Sequence, residues 1–182
     1  MVTVSPQTWF YCIKEMLMDK RALKVLEYDK IIRMLNERTA SELGRSISGG
    51  LTPSTDLREV EYRLRETTDA AAYLWRKGDA PFGGVHDIRS TLKRVEIGAT
   101  LGIPELLRIG DMLRCCRILK QFLTNDVPSD WEGNIALELG RQITPSRDVE
   151  DAIARAIISE EEISDHASPA LATIRRNIRQ KQ

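Results

Sequence analysis

Apolar residues recur along this chain at steps of three and four, the period of an amphipathic helix, and almost nowhere in strict alternation. Between Asp19 and Leu26 the pattern sets Leu23 and Leu26 on one face. Ile31, Ile32 and Leu35 continue a second helix to about Thr39, with Tyr28-Asp29 offering its N-cap. Ser41 opens a short helix that Gly49-Gly50 stops, because consecutive glycines cost too much backbone entropy for it to continue. Leu51 to Asp56 reads as a loop. Asp56 is a good N-cap with Glu59 three residues later, and the helix it opens runs to about Lys77. Leu57, Val60, Leu64, Ala71, Leu74 and Trp75 form the stripe that this helix is expected to bury. Glu59–Arg63 and Glu61–Arg65 stand one turn apart as ion pairs in the favourable orientation.

The rest of the chain is organised around the stretch from Pro81 to Leu101. Phe82-Gly83-Gly84 opens it, a short basic amphipathic segment comes next, and Gly98 and Gly102 break the chain again. Pro104 suits the first turn of a helix. From Leu106 to Leu123, apolar residues such as Ile109, Met112, Cys115, Ile118 and Phe122 cover well over half of that helix's circumference, which predicts a central position. Trp131, Ile135, Leu139 and Ile143 mark another helix, ended by Thr144-Pro145. Ser146 can cap the next, with Asp148, Glu150 and Asp151 against the positive end of its dipole and Val149, Ile153 and Ile157 as its buried face. The polar link Glu160 to Ala167 suits a short hairpin or turn, and Ser168-Pro169 opens a last helix that is still running at Gln182. Strand signals are nearly absent, so the fold class is all-α.

Charge and composition narrow the function classes. Lys plus Arg and Asp plus Glu number 27 each, so no global field draws the chain to nucleic acid or membrane, although a local basic patch is compatible with that balance. Charged residues at 30% and aromatics at 5% suit solvated helix faces better than a β-sandwich. No apolar run approaches the length of a membrane span. Of the three cysteines, Cys12, Cys115 and Cys116, two are adjacent, and neighbours on a helix do not bridge easily. Reduced thiols and a cytoplasmic setting are expected, with Cys115 and Cys116 as small core residues.

Candidate chemistry is sparse. A G-x-x-x-x-G-K-[ST] loop is missing: Gly78 to Gly83 has the spacing but continues into Gly84-Val85 without the lysine that would neutralise phosphate. The two histidines, His86 and His166, stand in separate segments with no cysteine at ligand spacing, so no metal site is expected. His86 beside Asp87 would serve as an oriented base in a small helical enzyme; a surface or capping histidine is the plainer account. Phe82, Gly83 and Gly84 are read as a structural turn, with an anion nest of bare amides as the alternative. No residue is assigned a catalytic, cofactor-binding or metal-binding role.

The last helix is the better partner surface. Arg175, Arg176, Arg179 and Lys181 give it four positive charges and no acid, and Arg175 and Arg179 share a face at i,i+4. Such a stripe can neutralise phosphates; it also suits the solvated side of a long coiled-coil arm whose buried positions are Leu171, Ile174 and Ile178. At the other end, residues 1–17 lack the features of a signal peptide and precede the first periodic helical sequence. Lys14-Glu15 can be encoded by a ribosome-binding sequence upstream of Met18, so this stretch is expected to be a non-native or disordered leader; an extra helix packing Trp9, Phe10 and Ile13 is the alternative.

PFGGVHDIRSTLKRVEIGATL, with LEYDKII near the start and DHASPALATIRRNIR at the end, resembles the N-terminal part of bacterial MutS-family proteins of the second type, the Smr-bearing suppressors of recombination. The likeness runs in order from about Met18 to Gln182, and its Gly-Gly-x-x-Asp-Ile-Arg and Ala-Ser-Pro-x-Leu-x-x-Ile-Arg segments are long enough to be specific. Ile103 departs from the pattern, standing where a capping serine is usual before the proline. The resemblance implies a helical core at 18–167, with 168–182 as the base of the first of two long antiparallel lever helices. It also implies that the second lever, an ATPase domain holding ATP and Mg, and a C-terminal Smr endonuclease lie beyond Gln182. The partners it implies are branched or mismatched DNA, collided ribosomes in some members, and a second copy joined through the ATPase domain. This segment would then be a mechanical, DNA-clamping part without catalysis. The rival from another class is a stand-alone helical protein-interaction module with no nucleic-acid function.

Overall fold

The computed structural model describes residues 20–181; the expected leader at 1–17, the Met18 start, and Cys12 lie outside them. Among the described residues there are nine α-helices and two short 3-10 turns, and the one β pairing is an isolated antiparallel bridge between Ile157 and Ile163. The fold is all-α, as the three- and four-residue spacing requires. The chain divides between Ala71 and Ala72 into two compact units.

The first unit holds α1 (Lys20–Val25), α2 (Tyr28–Glu37), α3 (Glu42–Gly49) and the beginning of α4 (Leu57–Lys77). Its joints are polar. Glu27, in the left-handed region at φ 53°, turns the chain from α1 into α2 and occupies the N-cap position without a side-chain cap bond. The expected cap Asp29 instead lies inside the first turn, where it pairs with Arg33 at 3.4 Å. Ser41 does cap α3, its Oγ accepting from the Gly44 amide at 3.0 Å. Ser48 is buried and donates its hydroxyl to Asn36 Oδ1, tying α3 back to α2. Asp56 caps α4 through the Arg58 amide at 2.9 Å, but the capping box is only half formed. Glu59 accepts from the Ser54 hydroxyl and from Arg63 rather than turning to the cap amide.

The stripe expected to be buried along α4 is corrected by the structure. Leu57 is 69% exposed, Leu64 63% and Trp75 95%, while the residue α4 buries is Tyr73, at 1%. The reason lies in the second unit. The Tyr73 hydroxyl donates to the Leu123 carbonyl at 2.7 Å, and its ring sits 4.5 Å from that of Trp131, tilted at 59°. A tyrosine with both a ring partner and a hydrogen-bond acceptor is stabilised inside; Trp75, two residues on, points to another side of the helix and stays exposed.

The rest of the second unit is α5 (Arg89–Glu96), α6 (Ile103–Thr124), a 3-10 turn at Ser129–Trp131, α7 (Ile135–Gln142), α8 (Arg147–Ala156), a 3-10 turn at Asp165–Ala167, and α9 (Pro169–Lys181). The apolar helix α6 is its centre, burying Ile109, Gly110 and Cys115 and packing against both α7 and α8. Close approach is built into the sequence. A β-carbon on Gly140 of α7 would stand 2.5 Å from Leu123 Cβ, and one on Gly84 would stand 2.8 Å from the Asp111 carbonyl oxygen. Lys77 donates to the Phe122 and Asn125 carbonyls, covering the C-terminal end of α6 where a cation is favoured. Arg117 of α6 meets buried Glu150 of α8 in a two-pronged pair at 2.9 and 2.7 Å.

Two further expectations shift. The helix expected to start near Trp131 begins at Ile135, capped by Asn134 accepting from the Leu137 amide at 3.2 Å, so Leu137 is buried and Leu139 exposed. Ser146 precedes α8 without a side-chain cap bond, and Val149 is exposed while Ile157 is buried.

Candidate nucleic-acid interface

The base of α9 is assembled from the polar link that precedes it. Ile157 and Ile163 pair across a tight hairpin, with Ser164 donating its amide to the Ala156 carbonyl at 2.9 Å. Buried Ser164 accepts the His166 amide at 3.1 Å, and this holds Asp165 in the 3-10 turn at the foot of the helix. Ser168 then caps α9 through the Leu171 amide at 3.1 Å, ahead of Pro169 in the first turn.

Arg175 and Arg179 share a face as their spacing predicts, and both reach back to the same carboxylate. One Arg175 nitrogen donates to Asp165 Oδ1 and to the Ile163 carbonyl, the latter at 2.8 Å. Arg179 takes the other oxygen, Asp165 Oδ2, at 2.5 Å. The guanidiniums of Arg175 and then Arg179 hold the Asp165 carboxyl below its ordinary range, so it is an anion at neutral pH. Arg176 and Lys181 are exposed and make no ion pair among the described residues. An open hollow of about 460 Å³ beside the fork is lined by His166 and Glu162 as well. Ile174 and Ile178 are 55% and 53% exposed, so of the three positions expected to be buried only Leu171 is partly covered. Asp165 was not singled out from the sequence. It sits ten residues before Arg175 across a turn, a separation that no helical period connects.

The remaining candidates separate. Asp87 turns away from His86 to Arg89, accepting from Nε at 2.9 Å and from a terminal nitrogen at 2.6 Å, which lowers its pKa to about 2. A carboxylate held in this way does not orient a histidine. Gly83-Gly84 forms a turn closed by the Val85 amide on the Phe82 carbonyl at 3.0 Å, with Gly84 pressed against α6. Cys115 is buried with its thiol on the Pro81 carbonyl, and burial pushes the Cys116 thiol up, away from a reactive thiolate. Among the described residues no three His, Cys, Asp or Glu side chains gather to hold a metal, and no helix is long and apolar enough to cross a membrane.

No protein-family profile matches the chain. Individual relatives do. It is 47% identical over 165 residues to Endonuclease MutS2 of Acetivibrio thermocellus, covering 91% of this chain and 21% of that protein. The corresponding protein of Ruminiclostridium cellulolyticum is 43% identical over 165 residues, and that of Clostridioides difficile 41% over 164, with 91% and 90% of this chain covered. The chain thus spans about a fifth of the length of these relatives.

Proposed function

Because the chain belongs to the MutS2 family, we propose that it is the helical core segment of a clamp on branched or mismatched DNA, with α9 as the base of a lever helix. The observation that carries this reading is the identity over nine tenths of the chain. In this role the segment binds and transmits position, and on this reading it takes no catalytic part. α6, gripped by α7 and α8, supplies a rigid base, and α9 leaves it with a positively charged side. Cations on a helix face neutralise backbone phosphates and release their counterions, so binding weakens as salt rises.

The test is a salt titration with a four-way junction oligonucleotide. Replacing Arg175 and Arg179 together by alanine removes the phosphate contact they make as a pair and lowers the slope of log affinity against log salt by about 0.9. An unchanged slope would mean that these arginines are only solvated. The exposed row on α4, from Leu57 to Trp75, favours a second reading as a protein-interaction module. That reading gains if the chain binds no junction DNA at low salt.

A further inference from the structure

The contact between Asp165 and the two arginines does more than brace a turn. Each carboxylate oxygen takes one guanidinium, Arg175 on Oδ1 and Arg179 on Oδ2. That is the arrangement in which a pair of arginines receives two oxygens of one phosphate. The carboxylate is partly exposed at 37%, and Arg179 at 68%, so an incoming anion can reach the fork without unfolding anything. Arg176 and Lys181, exposed elsewhere on the same helix, add positive charge for a first, loose encounter.

We propose that Asp165 is a built-in phosphate stand-in: its carboxylate fills the Arg175–Arg179 fork and must be displaced before the fork takes a backbone phosphate. The proposal rests on the reading of α9 as a nucleic-acid contact and adds a gate to it. Filled, the fork ties α9 to the 3-10 turn at Asp165–Ala167 and cancels one of the helix's four positive charges. Opened by a phosphate, it exchanges that internal tie for an external one. DNA binding and the freedom of α9 at its base are thereby linked, because a ligand that competes for one of two alternative contacts shifts the balance between them.

Asp165→Asn keeps the side chain's size and removes its charge. Measured with four-way junction DNA over a range of salt, this variant is expected to bind several-fold more tightly at low salt. Its salt slope should steepen by about 0.9, the equivalent of one charge. Asp165→Glu, which restores the carboxylate, should bind like the unaltered chain, and the helical circular dichroism of both should match it. Glu162→Gln removes a neighbouring carboxylate that does not enter the fork. If it tightens binding as much as Asp165→Asn does, net charge alone is at work and the gate is overturned. If Asp165→Asn changes nothing while the double arginine variant weakens binding, the gate is wrong and the DNA contact stands. If the double arginine variant also changes nothing, the DNA contact itself fails.

Discussion

At the scale of single residues, Tyr73 is the side chain on which the second unit turns. Its hydroxyl satisfies a carbonyl at the end of α6, and its ring is tilted against those of Trp131 and Phe122. Tyr73→Phe keeps the ring and orphans the Leu123 carbonyl, and should cost about 1 kcal/mol in a urea titration. No loss would mean that the hydroxyl bond is incidental. Glu150 gives a pH signature. Its carboxyl is held below the ordinary glutamate value, first by the hydrogen bonds from Arg117, so its pairing stabilises the fold at neutral pH. That stability is present above pH 4.5 and is lost as the pH falls through the depressed value, when the carboxylate takes up a proton. Glu150→Gln should lower the melting temperature at pH 7 and leave a shallower fall on the acid side. Parallel acid limbs for the two proteins would remove Glu150 from the account. Neither residue was legible beforehand: a tyrosine next to Leu74 and Trp75 reads as the polar flank of their stripe, and a glutamate in a first turn reads as a dipole partner.

At the scale of elements, helix positions follow from the sequence far better than helix faces. Gly49-Gly50, Asp56 and Ser168-Pro169 mark boundaries that the structure keeps, because capping and chain-breaking are local. Faces depend on which neighbour arrives, as α4 shows. Its apolar side, chosen by period, is exposed in this chain, and the side it covers holds Tyr73 and Lys77. Trp75→Ser should therefore change unfolding free energy by less than about 0.5 kcal/mol, as an exposed site does. A loss of about 3 kcal/mol or more, typical of a buried tryptophan, would show that the stripe is packed after all. In α6 the sequence pattern succeeded, since a helix apolar on most sides needs no decision about which one faces inward.

For the whole molecule, the buried apolar side chains found among the described residues, Tyr73, Ile109, Cys115, Leu137 and Ile157, all belong to the second unit. The first unit is held instead by Ser48–Asn36, Tyr28 on the Leu51 carbonyl, and helix caps. The stretch at α9 was readable as a basic face from charge alone, but its engagement with Asp165 needed the hairpin at Ile157–Ile163 to bring the two together. That α9 carries the nucleic-acid contact is the claim on which the functional account turns. Ultraviolet cross-linking of the chain to four-way junction DNA, with mass spectrometry of the attached peptides, addresses it without any substitution. With α9 as the contact, the dominant cross-linked peptides lie within Ser168–Lys181; cross-links confined to other helices, with that peptide recovered unmodified, would contradict it.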